Sequence, residues 1–243
     1  MRLLSIVSVI AVSAASLGAA SAEDASTEAA APVVVELFTS QSCSSCVAAA
    51  TYAADLVRRD DVVVLGWHVD YWNSLRTREG QWVDPYSSAE YTERQRQYNR
   101  NLRSSSSVYT PQIVVDGAVE AIGSDRRVVN RQITEEAQRQ SSTRLAAERT
   151  GDVIEIAVDG QSDAEIFVAY FMPNAQTAVR GGENAGVKFT DVNVVTELRA
   201  VGSIDSGGGA FSTPAPEDGY SCAVLVQSPG QGEILAAQYC PAG

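Results

Sequence analysis

Two cysteines separated by two serines are the residues of this chain best suited to covalent chemistry. Cys43 and Cys46 follow the apolar run at residues 33–38, and the segment after them is rich in alanine, a strong helix former. This order places the two thiols at a strand-to-helix turn, where the free amides and the dipole of the helix N-terminus favour a thiolate. The pattern predicts thiol–disulfide exchange, with Cys43 as the solvent-facing nucleophile and Cys46 as the resolving thiol. The alternative is an inert structural disulfide.

The other two cysteines are expected to form a structural disulfide. Cys43 and Cys46 are neighbours across one helical turn, which leaves Cys222 and Cys240 as the second pair. Four cysteines in an exported chain most simply form two disulfides.

The N-terminus has the pattern of an export signal. Residues 1–22 carry one early positive charge, an apolar core and a small-residue cleavage site, and residues 23–31 are expected to be a flexible lead-in. No later stretch approaches the roughly 20 apolar residues that a membrane-spanning helix needs. We therefore expect a periplasmic or secreted protein without a membrane anchor after signal cleavage.

The charge of the chain excludes some partners. The formal net charge is −12 at pH 7, whereas nucleic acids and anionic lipid surfaces select basic proteins. We expect neither nucleic acid nor a membrane surface as a partner.

The hydrophobic pattern divides the chain into two regions. Residues 32–145 predict an α/β domain with the order β-α-β-α-β-β-α, in which the first two strands are parallel. Residues 150–243 predict short strands separated by glycine-rich turns, most simply a small all-β antiparallel sandwich. We expect the boundary between residues 142 and 151.

Three further residues near the cysteines are candidates for the site. Glu36 lies on the strand that leads to the CxxC motif, and it either points beneath the motif and accepts the proton of Cys46 or faces solvent, since one residue of register decides the face. His68 is the only histidine, and it stands beside Trp67 in an aromatic cluster expected to line a substrate groove. The alternative for this cluster is ordinary core packing.

Stretches in both halves of the chain resemble the secreted family known as DUF1223. They are VELFTSQ at 35–41 with the CSSC motif, WHVDYW at 67–72, YTPQ at 109–112, GENAG at 182–186 and NVV at 193–195. The CxxC motif, Thr110-Pro111 and the predicted element order together resemble the thioredoxin-like superfamily. One departure is Val47, where the family often has proline, and this changes only the entry to the helix.

The resemblance implies roles for residues that the pattern alone does not single out. Pro111 would be a cis-proline beside the redox pair, and Thr110 before it would offer backbone groups to an extended substrate. Glu183 and Asn184 would form a turn whose carboxylate holds the second region to the first.

The resulting functional hypothesis is an exported thiol–disulfide oxidoreductase. Its substrates would be thiols or disulfides of proteins or small molecules, and it would need a redox recycling partner but no bound cofactor. Because Ser44 and Ser45 offer several donors to a thiolate, we expect a potential above the roughly −270 mV of thioredoxin. The alternatives are a redox-inert binding module of the cell envelope and a metallochaperone. No metal site is expected, since no histidine follows His68 and Cys222 and Cys240 lack metal-ligand spacing.

Overall fold

The protein has a mixed α/β fold with one large mixed sheet. The computed structural model describes residues 31–139 and 141–243, and these residues form three helices and thirteen strands. The helices are α1 (Cys46–Leu56), α2 (Ala89–Arg103) and α3 (Arg126–Glu136). The strands are β1 (Val33–Thr39), β2 (Val62–His68), β3 (Arg76–Thr77), β4 (Gly80–Gln81), β5 (Gln112–Val115), β6 (Val119–Ile122), β7 (Arg144–Thr150), β8 (Val153–Gly160), β9 (Ala164–Ala178), β10 (Lys188–Ile204), β11 (Gly207–Pro214), β12 (Ser221–Gln227) and β13 (Ile234–Tyr239). The export signal at 1–22 and the lead-in before residue 31 lie outside the described residues.

The first half of the chain follows the predicted order of elements. β1 pairs in parallel with β2 and antiparallel with β5, which continues into β6 through a tight turn. Every residue of β1 and β2 is buried, as expected for parallel strands that are covered on both faces. The small hairpin of β3 and β4 was not predicted, because its residues are polar and carry no strand periodicity.

Alternating side chains of β1 divide the core between its two faces. Val33, Val35 and Leu37 pack with apolar residues of α1 and α3. Val34 and Phe38 pack on the opposite face with tyrosines of α2. Because successive strand residues point to opposite faces, the face of each β1 side chain determines which helix it meets.

The strands of the second half do not form a sandwich beside the first half. Four of them continue the same eight-stranded sheet, in the order β13-β12-β9-β10-β2-β1-β5-β6. The remaining strands form the three-stranded sheet β11-β8-β7, whose side chains pack on the second half of the large sheet. Five of the seven strands of this half were predicted, whereas β7 and the glycine-rich β11 were not, and neither was the assembly of these strands with the first half. Whether residues 32–145 and 150–243 fold as separate units stays a prediction.

The two halves meet where β10 approaches β2. At Gly66, an added Cβ would lie 3.1 Å from the carbonyl oxygen of Val192, so only glycine allows this approach without a shift. Side chains complete the junction: Asn193 Nδ2 donates to the carbonyl of Val64 at 2.9 Å, and the Val64 amide donates to the Tyr239 hydroxyl at 2.8 Å. The sheet is therefore continued partly by side chains instead of a regular backbone ladder.

The turn between β5 and β6 ties three strands together. Asp116 has a φ of 47°, its amide donates to the carbonyl of Val34 at 2.8 Å, and its Oδ1 accepts from the Val34 amide. Its own carbonyl accepts from the amide of Ile234 at 2.8 Å. Burial is the main reason that the pKa of Asp116 is raised to about 7, and the negative charge of Glu136 raises it further. The hydrogen bond from Val34 and the charge of Arg139 act in the opposite direction and lower it.

This shifted pKa predicts how stability depends on pH. The pKa of this carboxyl is 3.8 in the unfolded chain and about 7 in the folded one. The free energy of unfolding therefore falls as the pH rises through that interval. Asp116→Asn keeps an acceptor for Val34 and a side chain that tolerates positive φ. We expect the variant to be more stable by roughly 2–4 kcal/mol at pH 8 and to lose this pH dependence. Urea denaturation at several pH values measures both.

An exposed aspartate provides the matched control. Asp163→Asn removes one carboxylate at a solvent-facing position and should leave the pH profile of stability unchanged. If Asp116→Asn behaves like Asp163→Asn, the buried carboxyl does not titrate as described.

Candidate active site

The two cysteines of the CSSC motif lie at the junction of β1 and α1. They form a disulfide with a Cα–Cα distance of 5.4 Å. Cys46 is the first residue of α1, and its amide donates to the carbonyl of Cys43 at 3.1 Å. Ser44 and Ser45 between them are exposed. The disulfide thus occupies the predicted strand-to-helix turn, at the positive end of the helix dipole.

The disulfide itself is inaccessible. Cys43 and Cys46 both have 0% of their surface exposed. The expectation that Cys43 faces solvent is therefore wrong. The physical reason lies in the second half of the chain, which covers the motif.

The cover is the segment that joins β9 to β10, residues 179–187, which we call the hairpin tip. The Glu183 carboxylate accepts from the amide of Ser44 at 2.9 Å and from its hydroxyl at 2.7 Å. The buried Asn184 side chain donates to the carbonyls of Gln41 at 3.0 Å and Cys43 at 2.8 Å. The turn at Glu183 and Asn184 that the family resemblance implied is confirmed, and it contacts the CSSC motif.

These contacts change the donors that are available to a thiolate. Both donors of Ser44 are taken by Glu183, and their hydrogen bonds hold the pKa of the Glu183 carboxyl below its ordinary value. The Ser45 hydroxyl lies 3.2 Å from Cys43 Sγ. While the hairpin tip is in place, the Ser44 amide and hydroxyl are therefore not available to a thiolate, and fewer donors remain than the two serines predict.

A buried ion pair lies behind the loop that leads to Cys43. His68 Nδ1 is 2.8 Å from Asp84 Oδ2, and the same oxygen accepts from the amide of Gln41 at 2.8 Å. Gln41 also donates through its side chain to Asp191 at 2.9 Å. His68 thus does not touch the disulfide. Through Asp84 it orients Gln41, which lies two positions before Cys43.

The pKa shifts in this cluster follow from burial and charge. Burial alone would lower the pKa of His68, but the charge and hydrogen bond of Asp84, with the charge of Asp191, raise it. Burial would raise the pKa of Asp84, and the charge and hydrogen bond of His68, together with two amides, lower it. Burial dominates at Asp191 and raises its pKa. Both shifts thus favour the charged forms of His68 and Asp84.

The sequence pointed to only part of this cluster. As the single histidine, His68 stands out in the sequence, whereas Asp84 belongs to an Asp-Pro dipeptide, which is typical of a helix start. Nothing in the pattern singled out Asp191. Each acidic residue becomes significant only when the fold brings it to His68.

Glu36 is not brought to the cysteines. It is fully buried on the α2 face of β1, where Arg94 Nε lies 2.7 Å from its carboxylate and the Tyr98 hydroxyl donates to it. Cys46 begins α1, which covers the other face. Trp67 is likewise in the core, with the Arg94 guanidinium 5.0 Å from its ring, so it has no surface with which to line a groove.

The Thr110–Pro111 segment does lie near the start of α1. The peptide bond between these residues is cis, as the resemblance implied. A Cβ added to Gly123 would be 3.2 Å from Pro111 and 3.4 Å from Ala49, so the proline packs next to the first turn of α1. Thr110 is half-buried, and its hydroxyl accepts from Trp72 Nε1 at 2.8 Å.

The second disulfide forms as expected. Cys222 and Cys240 are bonded, join the start of β12 to the end of β13, and are buried. No cysteine within the described residues is free. In the same part of the chain, no group of three or more acidic, histidine or cysteine side chains is arranged to hold a metal ion. No helix among the residues that the structure describes is long and apolar enough to cross a membrane.

Comparison with known proteins identifies the family. The model of a family described as a protein of unknown function, DUF1223, matches residues 34–227. The chain belongs to the DUF1223 family. The family prediction from sequence is thereby confirmed.

One solved structure is similar over most of this DUF1223 protein. It is the crystal structure of a protein from Agrobacterium tumefaciens, which is 30% identical, covers 88% of this chain and 96% of its own, and gives a TM-score of 0.74. A domain of the outer membrane lipoprotein Omp28 from Porphyromonas gingivalis is 13% identical, covers 44% of this chain and 90% of its own, and has a TM-score of 0.26, too low to carry an argument. No curated protein matches the chain.

The buried ion pair predicts a specific loss of stability. Because the pKa of His68 is raised above 6.5, the contribution of the pair is complete below that pH and is lost as the pH rises through the folded-state value. Asp84→Asn leaves a buried cation without its partner and should cost about 3 kcal/mol at pH 6. The cost should shrink as the pH rises through the folded-state pKa of His68 and its cation loses the proton. Urea denaturation at pH 6 and pH 9 checks both statements.

Asp191 provides the contrast within the same cluster. Burial already disfavours its charge, and Asp191→Asn retains an acceptor for Gln41. We expect a loss below about 1 kcal/mol. Equal losses in the two variants would contradict the assignment of the charged pair to His68 and Asp84.

Proposed function

We propose that this DUF1223 protein is an exported thiol–disulfide oxidoreductase whose first half is thioredoxin-like. The observation that carries the proposal is the Cys43–Cys46 disulfide, closed across the N-terminus of α1 directly after a buried parallel strand. The strand order β2-β1-β5-β6, in which β5 is antiparallel to β1 and β6 is antiparallel to β5, supports the thioredoxin-like assignment. The position of Pro111 beside the first turn of α1 supports it further.

The proposed chemistry is two successive exchanges. In the reduced protein, the Cys43 thiolate attacks one sulfur of a client disulfide, the client S–S bond breaks, and one client thiolate leaves. The Cys46 thiolate then attacks the mixed disulfide at Cys43, the CSSC disulfide forms, and the second client thiolate leaves. The client gains two electrons and the motif loses two. In the opposite direction, the CSSC disulfide oxidises a client dithiol and is itself reduced, so a disulfide partner has to reoxidise the motif; after the first direction a dithiol partner has to reduce it.

Several predicted residues enter the proposal in a changed form. Thr110 and Pro111 would align an extended client beside the motif, as backbone groups do in β-strand addition. His68 would act through Asp84 by holding the amide of Gln41. Glu36 takes no part, because its carboxylate is ion-paired on the other face of β1.

The surface around the motif favours polypeptide clients. Three exposed apolar side chains lie on segments that border it: Val47 at 37%, Val83 at 60% and Ile122 at 57% exposed. Val47 is in the first turn of α1, Val83 follows Trp82, whose carbonyl accepts from Ser42, and Ile122 precedes Gly123. Exposed apolar side chains gain from contact with the apolar residues of an unfolded chain. An exported location agrees with the signal pattern and with two disulfides.

A second function is favoured by one observation. Because both sulfurs have 0% exposure, the disulfide could serve as a structural link in a redox-inert binding module of the cell envelope. The two functions differ in whether the disulfide exchanges with thiols at physiological potentials.

A glutathione redox titration distinguishes the two functions. Thiols in the mature protein are trapped, counted and assigned to each cysteine by mass spectrometry. We expect Cys43–Cys46 to titrate reversibly between about −120 and −270 mV, with Cys222–Cys240 oxidised throughout. Cys43→Ser should then leave Cys46 as a thiol that forms no stable intramolecular bond. Resistance of both pairs below about −300 mV would assign the disulfide to a structural role.

A further inference from the structure

The hairpin tip consists of two parts with different attachments. Its two ends are held by an apolar cluster in which Val179 and Phe189 pack with Ala50 of α1, next to Val187 and Trp82. Val179 and Val187 are also joined by a backbone hydrogen bond of 3.0 Å. The residues between them, 180–186, contain three glycines and no large apolar side chain.

Polar contacts alone hold the middle of the tip. Glu183 accepts from Ser44, and Asn184 donates to the carbonyls of Gln41 and Cys43. The Gly182 amide donates to Gly80 at 3.2 Å. Glu183 and Ser44 are exposed, so their hydrogen bonds exchange readily with water. The buried Asn184 side chain is held by hydrogen bonds and belongs to no apolar cluster of the described residues, so this part of the tip can leave while the apolar ends stay in place.

Two glycines provide the conformational freedom for that movement. Gly182 has a φ of 71° and Gly186 a φ of 87°, which are values that other residues rarely adopt. A Cβ on Gly182 would also approach Ser42 Oγ to 3.0 Å. The closed position therefore requires glycine at 182 both for the backbone and for close contact with the loop before Cys43.

We propose that residues 180–186 form a built-in gate over the CSSC motif, and that a thiol reaches Cys43 only after Glu183 and Asn184 leave the loop at 41–44. The proposal rests on the function proposed above, since a gate has a purpose only over a reactive disulfide. Glu183 is then a positioning residue: it holds the gate closed through Ser44 and does not contact the client. Opening exposes Cys43 and frees the Ser44 amide and hydroxyl.

Reduction kinetics test the gate without depending on the redox potential. A water-soluble trialkylphosphine reduces any disulfide that it can reach and becomes a phosphine oxide. Full-length mature protein is treated under pseudo-first-order conditions, and the thiols at Cys43 and Cys46 are counted by mass spectrometry over time. We expect slow reduction in the wild type and reduction at least about tenfold faster in Glu183→Ala, which removes two charge-assisted hydrogen bonds.

A second variant opens the gate by a different route. Gly182→Ala keeps the carboxylate but introduces a Cβ beside Ser42, and it should accelerate reduction in the same direction. Glu217→Ala, at an exposed position in the loop between β11 and β12, is the matched control and should react like the wild type.

The outcomes separate the gate from the proposed function. Rates in both variants within about twofold of the wild type would overturn the gate, even if the glutathione titration shows a redox-active pair. Faster reduction of Cys222–Cys240 in the same variants would also overturn it, because that result indicates general loosening of the fold. Accelerated reduction of Cys43–Cys46 alone supports the gate, whatever potential the titration gives.

Discussion

The close approach of β10 to β2 at Gly66 is the contact on which the arrangement of the site depends. Without a side chain at this position, the carbonyl of Val192 can come close to β2, and Asn193 and Tyr239 complete the junction by bonding the backbone of Val64. Because β10 begins beside the hairpin tip, this junction sets where the tip rests. A larger residue at Gly66 would displace β10 and with it the cover of the disulfide.

Two buried ion pairs connect the elements around the motif. Arg94 and Glu36 join α2 to β1, and His68 and Asp84 join β2 to the loop that leads to Cys43. Burying such charges carries a large desolvation cost, which only well-formed partners offset. These pairs are therefore weak sources of net stability. Their effect is to require one arrangement, since any alternative leaves a charge buried alone.

The covered disulfide combines two requirements that usually conflict. Under the proposed function, the motif has to be reachable by a client and yet be protected from adventitious exchange. Apolar packing at Val179 and Phe189 fixes the ends of the hairpin tip, and polar contacts at Glu183 and Asn184 close its middle. The difference between these two kinds of contact allows the site to be shielded and still opened, because only the weaker contacts have to break.

The sequence by itself determined most of the local elements, with β3, β4, β7 and β11 as the exceptions, and also the turn that carries Cys43 and Cys46, the pairing of Cys222 with Cys240 and the family. Each follows from neighbouring residues: apolar runs, alanine-rich segments, glycine turns and short motifs. Only the tertiary structure decided that Glu36 faces α2, that Asp84 and Asp191 gather around His68, and that the second half extends the same sheet. It also decided that Cys43 is covered, through a contact between residues separated by 139 positions. Such outcomes depend on strand register and on distant segments meeting, and the physical information for both lies in the packing of the whole chain, which no local pattern contains.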